Sequence, residues 1–529
     1  MTEAPRRAAF GGPSVEELFA RFGPAFRWWV TLTALTGTIS CILSSTIVTV
    51  AQPDIMGALG MGQEQGQLLS TGFLAANTGM MLLNAWCTER IGYRLTYVAS
   101  ISLFALASVV AGIATDASVM VACRVLQGGA AGLLQPLSMQ LIFLVFPPER
   151  RGTAMGLFSF GVVMAPALGP ALGGILVDEF SWHAVFFLCL PTALLGLGMG
   201  LVFMPGRPAG AAVRPFDWWG AVLLALAIGV LLAGLTDGQR HGWGSHRVVL
   251  ELTVALLAWV GFLGWQMLAP APLMDPRVFL HGGFAMASIV AFIYGAAIFG
   301  STYLVPLLVQ SVQGYTPTRS GLILMPAGLV VAFVFLAAGR LADFIPPWLP
   351  VSSGLMFFAV SCWLMGGVGT ETPFWGLALW ILLGRVGLGL TMPSMNVGAM
   401  RALPPRLFGQ GAGTINFMRM LGGAFGINLL AIFMERRHQL HVETLNVFLD
   451  GGPMTLEARR LLEGLYGIGG LPLLLARDAA HDFMLHMLEE QAELLGFRDA
   501  FLAVALFCLL AVLPALTLRQ KPPGAMARK

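Results

Sequence analysis

Charged side chains are scarce in this sequence. Asp, Glu, Lys and Arg make up 11% of its 529 residues, whereas 57% are hydrophobic. A soluble domain carries about 25% charged residues, because its surface must face water. So little charge excludes a soluble protein and indicates a chain that crosses a membrane many times. The formal net charge of +3 gives no reason to expect a nucleic-acid partner.

Motifs for disulfide, metal and nucleotide chemistry are also missing. No CxxC pair and no HExxH motif occurs, and the glycine-rich stretch 128–132 is not followed by GKS or GKT. We therefore expect no metal site, no cofactor and no ATP-driven pump. The cysteines all lie in or beside apolar runs, at Cys41, Cys87, Cys123, Cys189, Cys362 and Cys508.

Long apolar runs are what the sequence has instead. A bilayer core about 30 Å thick needs roughly 20 apolar residues per helix. Continuous runs of that length exclude transmembrane strands, which alternate polar and apolar residues over about 10 positions. We predict an all-α polytopic membrane protein with fourteen transmembrane helices. Their approximate limits are 30–52, 66–87, 95–114, 118–145, 153–177, 182–204, 218–236, 248–269, 284–309, 319–343, 349–368, 374–399, 408–434 and 499–518.

The ends of the chain and its basic residues predict an orientation. No cleavage site follows the first apolar run, so no signal peptide is expected, and residues 1–29 have the spacing of an interfacial helix. Arginine and lysine are retained on the cytoplasmic side of membranes. They concentrate in alternate connections, so both termini are predicted to be cytoplasmic. These connections include Arg90, Arg94, Arg150, Arg151, Arg340, Arg401 and Arg406.

An internal repeat organises the chain. Glu89 aligns with Asp343 at a shift of 254 positions, and Pro147 aligns with Pro404 at a shift of 257. Two homologous six-helix halves are therefore predicted. We place the N-terminal bundle at 30–204, a linker with two extra transmembrane helices at 205–283, and the C-terminal bundle at 284–518, before a cytoplasmic tail at 519–529.

A polar segment at 435–497 interrupts the C-terminal bundle and is predicted to face the outside. Residues 456–465 and 478–495 have amphipathic helical spacing, which predicts a small helical cap. The alternative is a loop that only shields the outer mouth of the protein.

Small residues are spaced through an apolar run at 156–174. They allow a second helix to approach closely, and an intramembrane proline leaves a carbonyl for a neighbour to satisfy. This pattern predicts a helix that packs and bends against a partner. The residues concerned are Gly156, Ala165, Gly169, Pro170, Gly173 and Gly174.

Together with other motifs, this run resembles the fourteen-span drug:proton antiporter branch of the major facilitator superfamily. It is similar to the antiporter motif of the fifth span, with Ala165 in place of a glycine. Arg124 and Gln127 resemble the fourth-span motif. The loop with Glu89, Arg90, Gly92 and Arg94 resembles a degraded form of the superfamily's cytoplasmic gating motif, with Glu89 where aspartate is usual and Tyr93 in place of a basic residue. The repeat places Gly339 and Asp343 at the corresponding position of the second half.

The resemblance implies two six-helix bundles with two inserted central helices, and export in exchange for protons across the inner membrane. An arginine inside a bilayer must face the protein interior, so Arg124 is the leading candidate for coupling or for substrate binding. The alternative is an arginine held only by helix carbonyls. Arg385 and Arg419 are weaker candidates.

Proton coupling needs a titrating group, and here the sequence departs from the branch. Ser44 stands where the family motif has aspartate, and no acid lies in the middle of an N-terminal span. The remaining candidates are Asp54, Asp178 and Glu251, each near the end of a span.

Polar residues scattered among Phe, Met and Trp predict a cavity for amphipathic molecules, although such residues also fill ordinary helix interfaces. They are Asn77, Gln135, Gln140, Tyr294, Tyr303, Asn396, Asn416 and Arg419. We expect an exporter of hydrophobic or amphipathic drugs that works by alternating access. A periplasmic adaptor and an outer-membrane channel are partners that the resemblance implies. The alternatives are a dedicated exporter of one metabolite, siderophore or fatty acid and, from another class, a membrane-embedded enzyme or scaffold.

Overall fold

The computed structural model describes residues 12–207, 215–449, 453–468 and 473–519. The all-α prediction is confirmed over these residues. A short helix, α1 (Val15–Phe22), begins with a capping box in which Ser14 and Glu17 each bind the backbone N–H of the other. The N-terminal bundle follows with α2 (Phe26–Ala58), α3 (Gln63–Arg90), α4 (Tyr93–Gly112), α5 (Ala117–Val145), α6 (Arg151–Glu179), α7 (Ala184–Leu188) and α8 (Leu190–Phe203).

Two helices connect this bundle to the second one, α9 (Trp218–His241) and α10 (His246–Leu268). The C-terminal bundle contains α11 (Gly282–Ser311), α12 (Pro317–Phe344), α13 (Trp348–Met365), α14 (Phe374–Arg401), α15 (Phe408–Leu449), α16 (Pro453–Ile468) and α17 (Leu473–Leu516). Twelve of the described helical segments are long and apolar enough to cross a membrane. α3 and α6 are not among the twelve, so the count of fourteen stays a prediction.

Glycine sets the closest helix crossings inside each bundle. A Cβ built on Gly128 of α5 would lie 2.2 Å from the carbonyl oxygen of Phe73 in α3. In the other bundle, a Cβ on Gly295 of α11 would lie 1.9 Å from the carbonyl oxygen of Arg419 in α15. Only glycine allows the backbones to approach this closely. These two crossings therefore fix helices that also carry candidate site residues.

α9 and α10 pack against the line where the two bundles meet. Leu224 of α9 and Phe262 of α10 form one buried cluster with Met81 of α3 and Phe417 of α15. Asp217 begins α9 and ties the pair together, because its carboxylate accepts hydrogen bonds from the side chains of Trp265 at 2.7 Å and Gln266 at 2.9 Å. The inserted helices therefore contact one helix of each bundle.

The polar segment at 435–497 differs from the loop and cap that the sequence predicts. Helix covers both amphipathic stretches, but α15 runs without a break from Phe408 to Leu449, and α17 runs from Leu473 to Leu516. Asp499 of α17 joins the two extensions, accepting hydrogen bonds from Arg437 at 2.5 Å and His441 at 2.8 Å. The polar residues thus belong mainly to extended span helices that support each other.

Candidate functional site

The two bundles touch at one end of the molecule. We call it the arginine-rich end, because the helix termini there carry Arg90, Arg151, Arg340, Arg401 and Arg406. α6 of the first bundle crosses α12 of the second, and α3 of the first crosses α15 of the second. The predicted repeat matches α3 with α12 and α6 with α15. The repeat therefore relates the two crossings: each joins one helix of the α3–α12 pair to one helix of the α6–α15 pair in the other bundle.

The α6–α12 crossing is made by three glycines. A Cβ on Gly339 would lie 2.4 Å from the Cα of Gly156, and a Cβ on Gly152 would lie 2.4 Å from the carbonyl oxygen of Gly339. Gly152 and Gly156 are four residues apart, which is the small-xxx-small spacing of close helix pairs. The first glycine of the predicted antiporter motif thus packs against a glycine of the predicted gating motif.

Asp343 adds a charged contact to this crossing. Its carboxylate accepts hydrogen bonds from the backbone N–H groups of Gly152 at 2.6 Å and Thr153 at 2.8 Å, and from the Thr153 hydroxyl at 2.7 Å. These N–H groups belong to the first turn of α6, which has no partners for them within its own helix. Arg401 lies 3.9 Å from the same carboxylate. Asp343 therefore caps a helix of the opposite bundle.

The α3–α15 side of the same end is packed differently. A Cβ on Gly413 would lie 2.5 Å from the carbonyl oxygen of Met81. The rings of Phe143 and Phe408 pack edge to face with centroids 5.9 Å apart, and the guanidinium of Arg151 lies over both. Deeper in the molecule, the side-chain nitrogen of Asn416 is 3.7 Å from the sulfur of Met139. The bundles are thus in contact from the arginine-rich end down to Asn416.

The described contacts of the first-half gating motif lie inside the N-terminal bundle. Gly92 has φ +90° and its Cβ would lie 2.8 Å from the backbone nitrogen of Arg207, so a glycine is needed there. The Arg207 side chain donates to the carbonyl oxygen of Glu89 at 2.8 Å, and Arg94 donates to the carbonyl oxygen of Leu201. Arg90 is exposed.

The remaining antiporter-motif residues lie further along α6. A Cβ on Gly169 would lie 2.2 Å from the hydroxyl oxygen of Thr46, and one on Gly173 would lie 3.2 Å from the side chain of Ile47. Ala165 is buried, and Gly174 has no neighbour within 4 Å of a built Cβ. The side chain of Pro170 lies outside the described part of the chain. α6 therefore packs against α12 at one end and against α2 further along.

Arg124 is buried in the N-terminal bundle with 1% of its surface exposed. Its Nε donates to the carbonyl oxygen of Leu69 at 3.0 Å, and its Nη1 donates to Gln127 at 3.0 Å and to Ser44 at 3.4 Å. The guanidinium also lies 4.5 Å from the ring centroid of Phe73. These described partners are all neutral. The structure thus brings together three residues that the sequence selected, Arg124, Gln127 and Ser44.

A second cluster lies in the C-terminal bundle, beside the Asn416–Met139 contact. Arg419 donates to the side-chain oxygen of Asn416 at 2.9 Å and lies 3.6 Å from the sulfur of Met392. Tyr294 is fully buried, and Arg385 donates to Thr302 at 3.0 Å. Polar groups from α11, α14 and α15 therefore meet near the middle of the molecule.

The other sequence-selected residues are dispersed. Asp54 is exposed near the end of α2, and Tyr303 is 36% exposed on α11. Gln135 and Asn396 are buried, and the side-chain oxygen of Asn77 is buried without a described hydrogen-bond partner.

Sequence reasoning missed the role of the α6 N-terminus. The sequence alone singles out neither Gly152 nor Thr153, and it gives Arg401 only the role of a basic residue in a predicted cytoplasmic connection. The repeat itself carried a signal, because it aligns Gly152 with Gly409 at the start of α15. Which carboxylate meets which helix terminus depends on how the two halves face each other.

Comparison with known proteins defines the class. A family model described as Major Facilitator Superfamily matches residues 33–427, and the chain belongs to that family. Among solved structures, the human organic anion transporter MFSD10 superimposes with a TM-score of 0.62 at 14% identity, covering 92% of this chain and 99% of that one. The proton:xylose symporter XylE superimposes with a TM-score of 0.60 at 13% identity, covering 93% and 95%. The family and fold indicate a multi-pass membrane transporter rather than an enzyme.

Three relatives match this chain over most of its length. The chain is 28% identical to the multidrug export protein EmrB of Escherichia coli, over 93% of this chain and 95% of that protein. It is 30% identical to the tetracenomycin C resistance and export protein of Streptomyces glaucescens, over 78% and 77%. An uncharacterized MFS-type transporter of Bacillus subtilis, YhcA, is 27% identical over 94% and 93%.

Proposed function

We propose that the protein is a secondary active exporter of hydrophobic or amphipathic small molecules that works by alternating access in the inner membrane. The observation that carries this proposal is the closed arginine-rich end, where Asp343 and three glycines join two repeated bundles. Alternating access requires a contact of this kind, which closes one side of the site and can open when one repeated bundle rocks against the other. The relatives named as a multidrug exporter and a tetracenomycin C exporter support the same function.

The basic residues assign the closed end to the cytoplasm, as the positive-inside rule predicts. With this orientation, we infer a state that is closed toward the cytoplasm. Opening would require the Asp343 carboxylate to leave the N-terminus of α6. A periplasmic adaptor or an outer-membrane channel would act on the periplasmic side, where we place the extensions of α15 and α17.

Protons are the counter-ion that we propose, since the relatives' branch uses them, but the coupling group differs. Arg124 is bound by neutral acceptors and Ser44 occupies the aspartate position of the branch. Coupling therefore rests on Arg124 together with an acid at a helix end, such as Asp54. In the coupled exchange, each inward proton would contribute about 2.3 kcal/mol per 100 mV of membrane potential.

The test is efflux of a preloaded lipophilic dye from cells producing the full chain or its Arg124→Ala variant. Loss of efflux with a protonophore and in the variant supports proton-coupled export. Efflux that persists with a protonophore but is lost in Arg124→Ala supports export by this protein and argues against protons as the coupled ion. No efflux of any dye by well-produced protein rejects broad specificity and favours the exporter of a single metabolite.

A further inference from the structure

Arg419 lies in the interior of the C-terminal bundle, on α15. One helical turn closer to the arginine-rich end, Asn416 touches Met139 of the opposite bundle and accepts a hydrogen bond from Arg419. Arg419 is 6% exposed, and its Nε has no hydrogen-bond partner among the described residues. A buried donor without a partner is costly. One N–H group of the Arg419 guanidinium is therefore available to bind a ligand.

Two further donors surround this position. The hydroxyl of Tyr294 is fully buried and also has no hydrogen-bond partner among the described residues. Gly295, next to Tyr294 on α11, packs against the backbone carbonyl of Arg419, and Arg385 donates to Thr302, two turns further along the same helix. Three side chains from three helices thus present one free hydroxyl, one free guanidinium N–H and a second cation to one region.

Among the described residues, no hydrogen bond or ion pair joins Arg419 or Arg385 to a carboxylate. The chain has 27 acidic residues, and none lies in the central half of any α-helix between residues 26 and 434. Arginine keeps its charge in proteins, so the positive charge of Arg419 and Arg385 cannot be removed by deprotonation. In the facing bundle, Arg124 is another buried cation with neutral described partners. The interior accordingly has an excess of positive charge.

We propose that this cluster of Arg419, Tyr294 and Arg385, the anion cluster, binds the acidic group of an amphipathic organic anion that the protein exports. The inference rests on the proposed export function and names its substrate class. The unpartnered Nε–H of Arg419 and the hydroxyl of Tyr294 are donors for the oxygens of a carboxylate or sulfonate, and the charge of the arginine strengthens such a hydrogen bond. Met392 beside Arg419, and Phe299 packed against Gly423 one turn further along α15, provide apolar contacts for the rest of such a molecule.

The experiment uses three pyrene compounds with the same ring and similar length: pyrenebutyrate, pyrenebutanol and pyrenebutyl-trimethylammonium. Full-length protein in nanodiscs is titrated with each, and efflux of each is measured from proteoliposomes. The variants are Arg419→Gln, Arg419→Lys and Tyr294→Phe. Arg498→Gln is the matched control, because Arg498 is a partly buried arginine of the same bundle that donates to the carbonyl oxygen of Val368.

Wild-type protein is expected to bind pyrenebutyrate at least about tenfold more tightly than the cationic probe, since the ion pair is charge-assisted. Arg419→Gln should remove this preference, Arg419→Lys should keep most of it, and Tyr294→Phe should weaken anion binding severalfold without lowering the unfolding temperature. Arg498→Gln should leave the preference for the anion unchanged. If Arg419→Gln does not fold, the comparison of Tyr294→Phe with wild type decides whether the anion cluster binds the anion.

Failure of the anion cluster can be distinguished from failure of the proposed export function. Export of the neutral and cationic probes with no preference for the anion overturns the anion cluster but still supports the proposed export function. Unchanged anion binding in both Arg419→Gln and Tyr294→Phe overturns it as well. If no probe is exported, the export function fails, and the nanodisc titration still supports or overturns anion binding at Arg419.

Discussion

Asp343 of α12 accepts a 2.6 Å hydrogen bond from the backbone N–H of Gly152, the second residue of α6 in the other bundle. A carboxylate at a helix N-terminus satisfies free N–H groups and interacts favourably with the helix dipole. Here the capping residue and the capped helix belong to different halves of the chain. A local capping interaction thereby becomes a contact that must break if the bundles separate at this end.

Asp343→Asn is expected to weaken closure of the arginine-rich end. Charge-assisted hydrogen bonds contribute about 1.5–3 kcal/mol each, and the amide retains one acceptor oxygen at most. We expect roughly a tenfold increase in the labelling rate of a cysteine introduced at Met139, which is buried at the bundle contact. The native cysteines are all buried, so background labelling by a polar maleimide should be low.

Asp116→Asn is the control for that experiment, because Asp116 caps α5 within its own bundle through the N–H of Ser118 at 2.8 Å. Labelling at position 139 should not change in this variant. Equal acceleration in the two variants would mean that the effect of Asp343→Asn is a general loss of stability.

Gly156→Ala and Gly174→Ala are expected to have opposite effects on stability. A Cβ at position 156 meets the backbone of Gly339 at 2.8 Å, whereas one at 174 meets nothing within 4 Å. Overpacking costs about 1–3 kcal/mol, and alanine in place of an unhindered helical glycine gains about 0.5–1 kcal/mol. Thermal unfolding in detergent should show a lower midpoint for Gly156→Ala and an equal or higher one for Gly174→Ala. A midpoint for Gly156→Ala at or above that of wild type would contradict the close crossing.

Ser44→Asp is expected to be tolerated, whereas Ser40→Asp is not. Ser44 lies 3.4 Å from the Nη1 of Arg124, so a carboxylate there would have a cationic partner. Ser40, one turn earlier on the same helix, bonds the hydroxyl of Thr192 at 2.8 Å and is fully buried. An unpaired buried charge costs several kcal/mol.

The measurement is the amount and thermal stability of the two purified variants. Ser44→Asp should remain close to wild type and should lose that stability when Arg124→Gln is added. Comparable destabilisation of the two aspartate variants would show that Arg124 does not compensate a charge at position 44.

Asp499→Asn is expected to loosen the extensions of α15 and α17. Asp499 binds both Arg437 and His441 of α15, so the loss should be about 1–2 kcal/mol, more than for an exposed ion pair. Glu490→Gln is the control, since its pairing with His486 is exposed, and its effect should stay within about 0.5 kcal/mol. Both are measured as unfolding midpoints, and equal midpoints would argue against a joined pair of extensions.

Much of the architecture followed from local features. Apolar run length predicts helices because a bilayer leaves backbone groups no partner outside the segment. The repeat predicts two halves because Glu89 and Asp343 both follow a second span. The arginine of 118–145 had to point inward, and the structure places Arg124 in the bundle interior beside Gln127 and Ser44.

The polar segment at 435–497 shows where local reasoning was insufficient. Its composition ends the predicted spans at 434 and 499, yet α15 and α17 continue through it. Each extension is stabilised by the other, through contacts such as Arg437–Asp499, and that pairing is absent from any single stretch of sequence.

The sequence by itself determined the class of protein, the helical content and the residues that cannot face lipid, since the cost of exposing charge or backbone to a bilayer is paid within each segment. Tertiary structure decided which partners those residues meet. Asp343 caps α6 and Asn416 lies against Met139 because the two bundles face each other in one particular way. That arrangement depends on packing between glycines almost two hundred positions apart, such as Gly152 and Gly339, which no local pattern specifies.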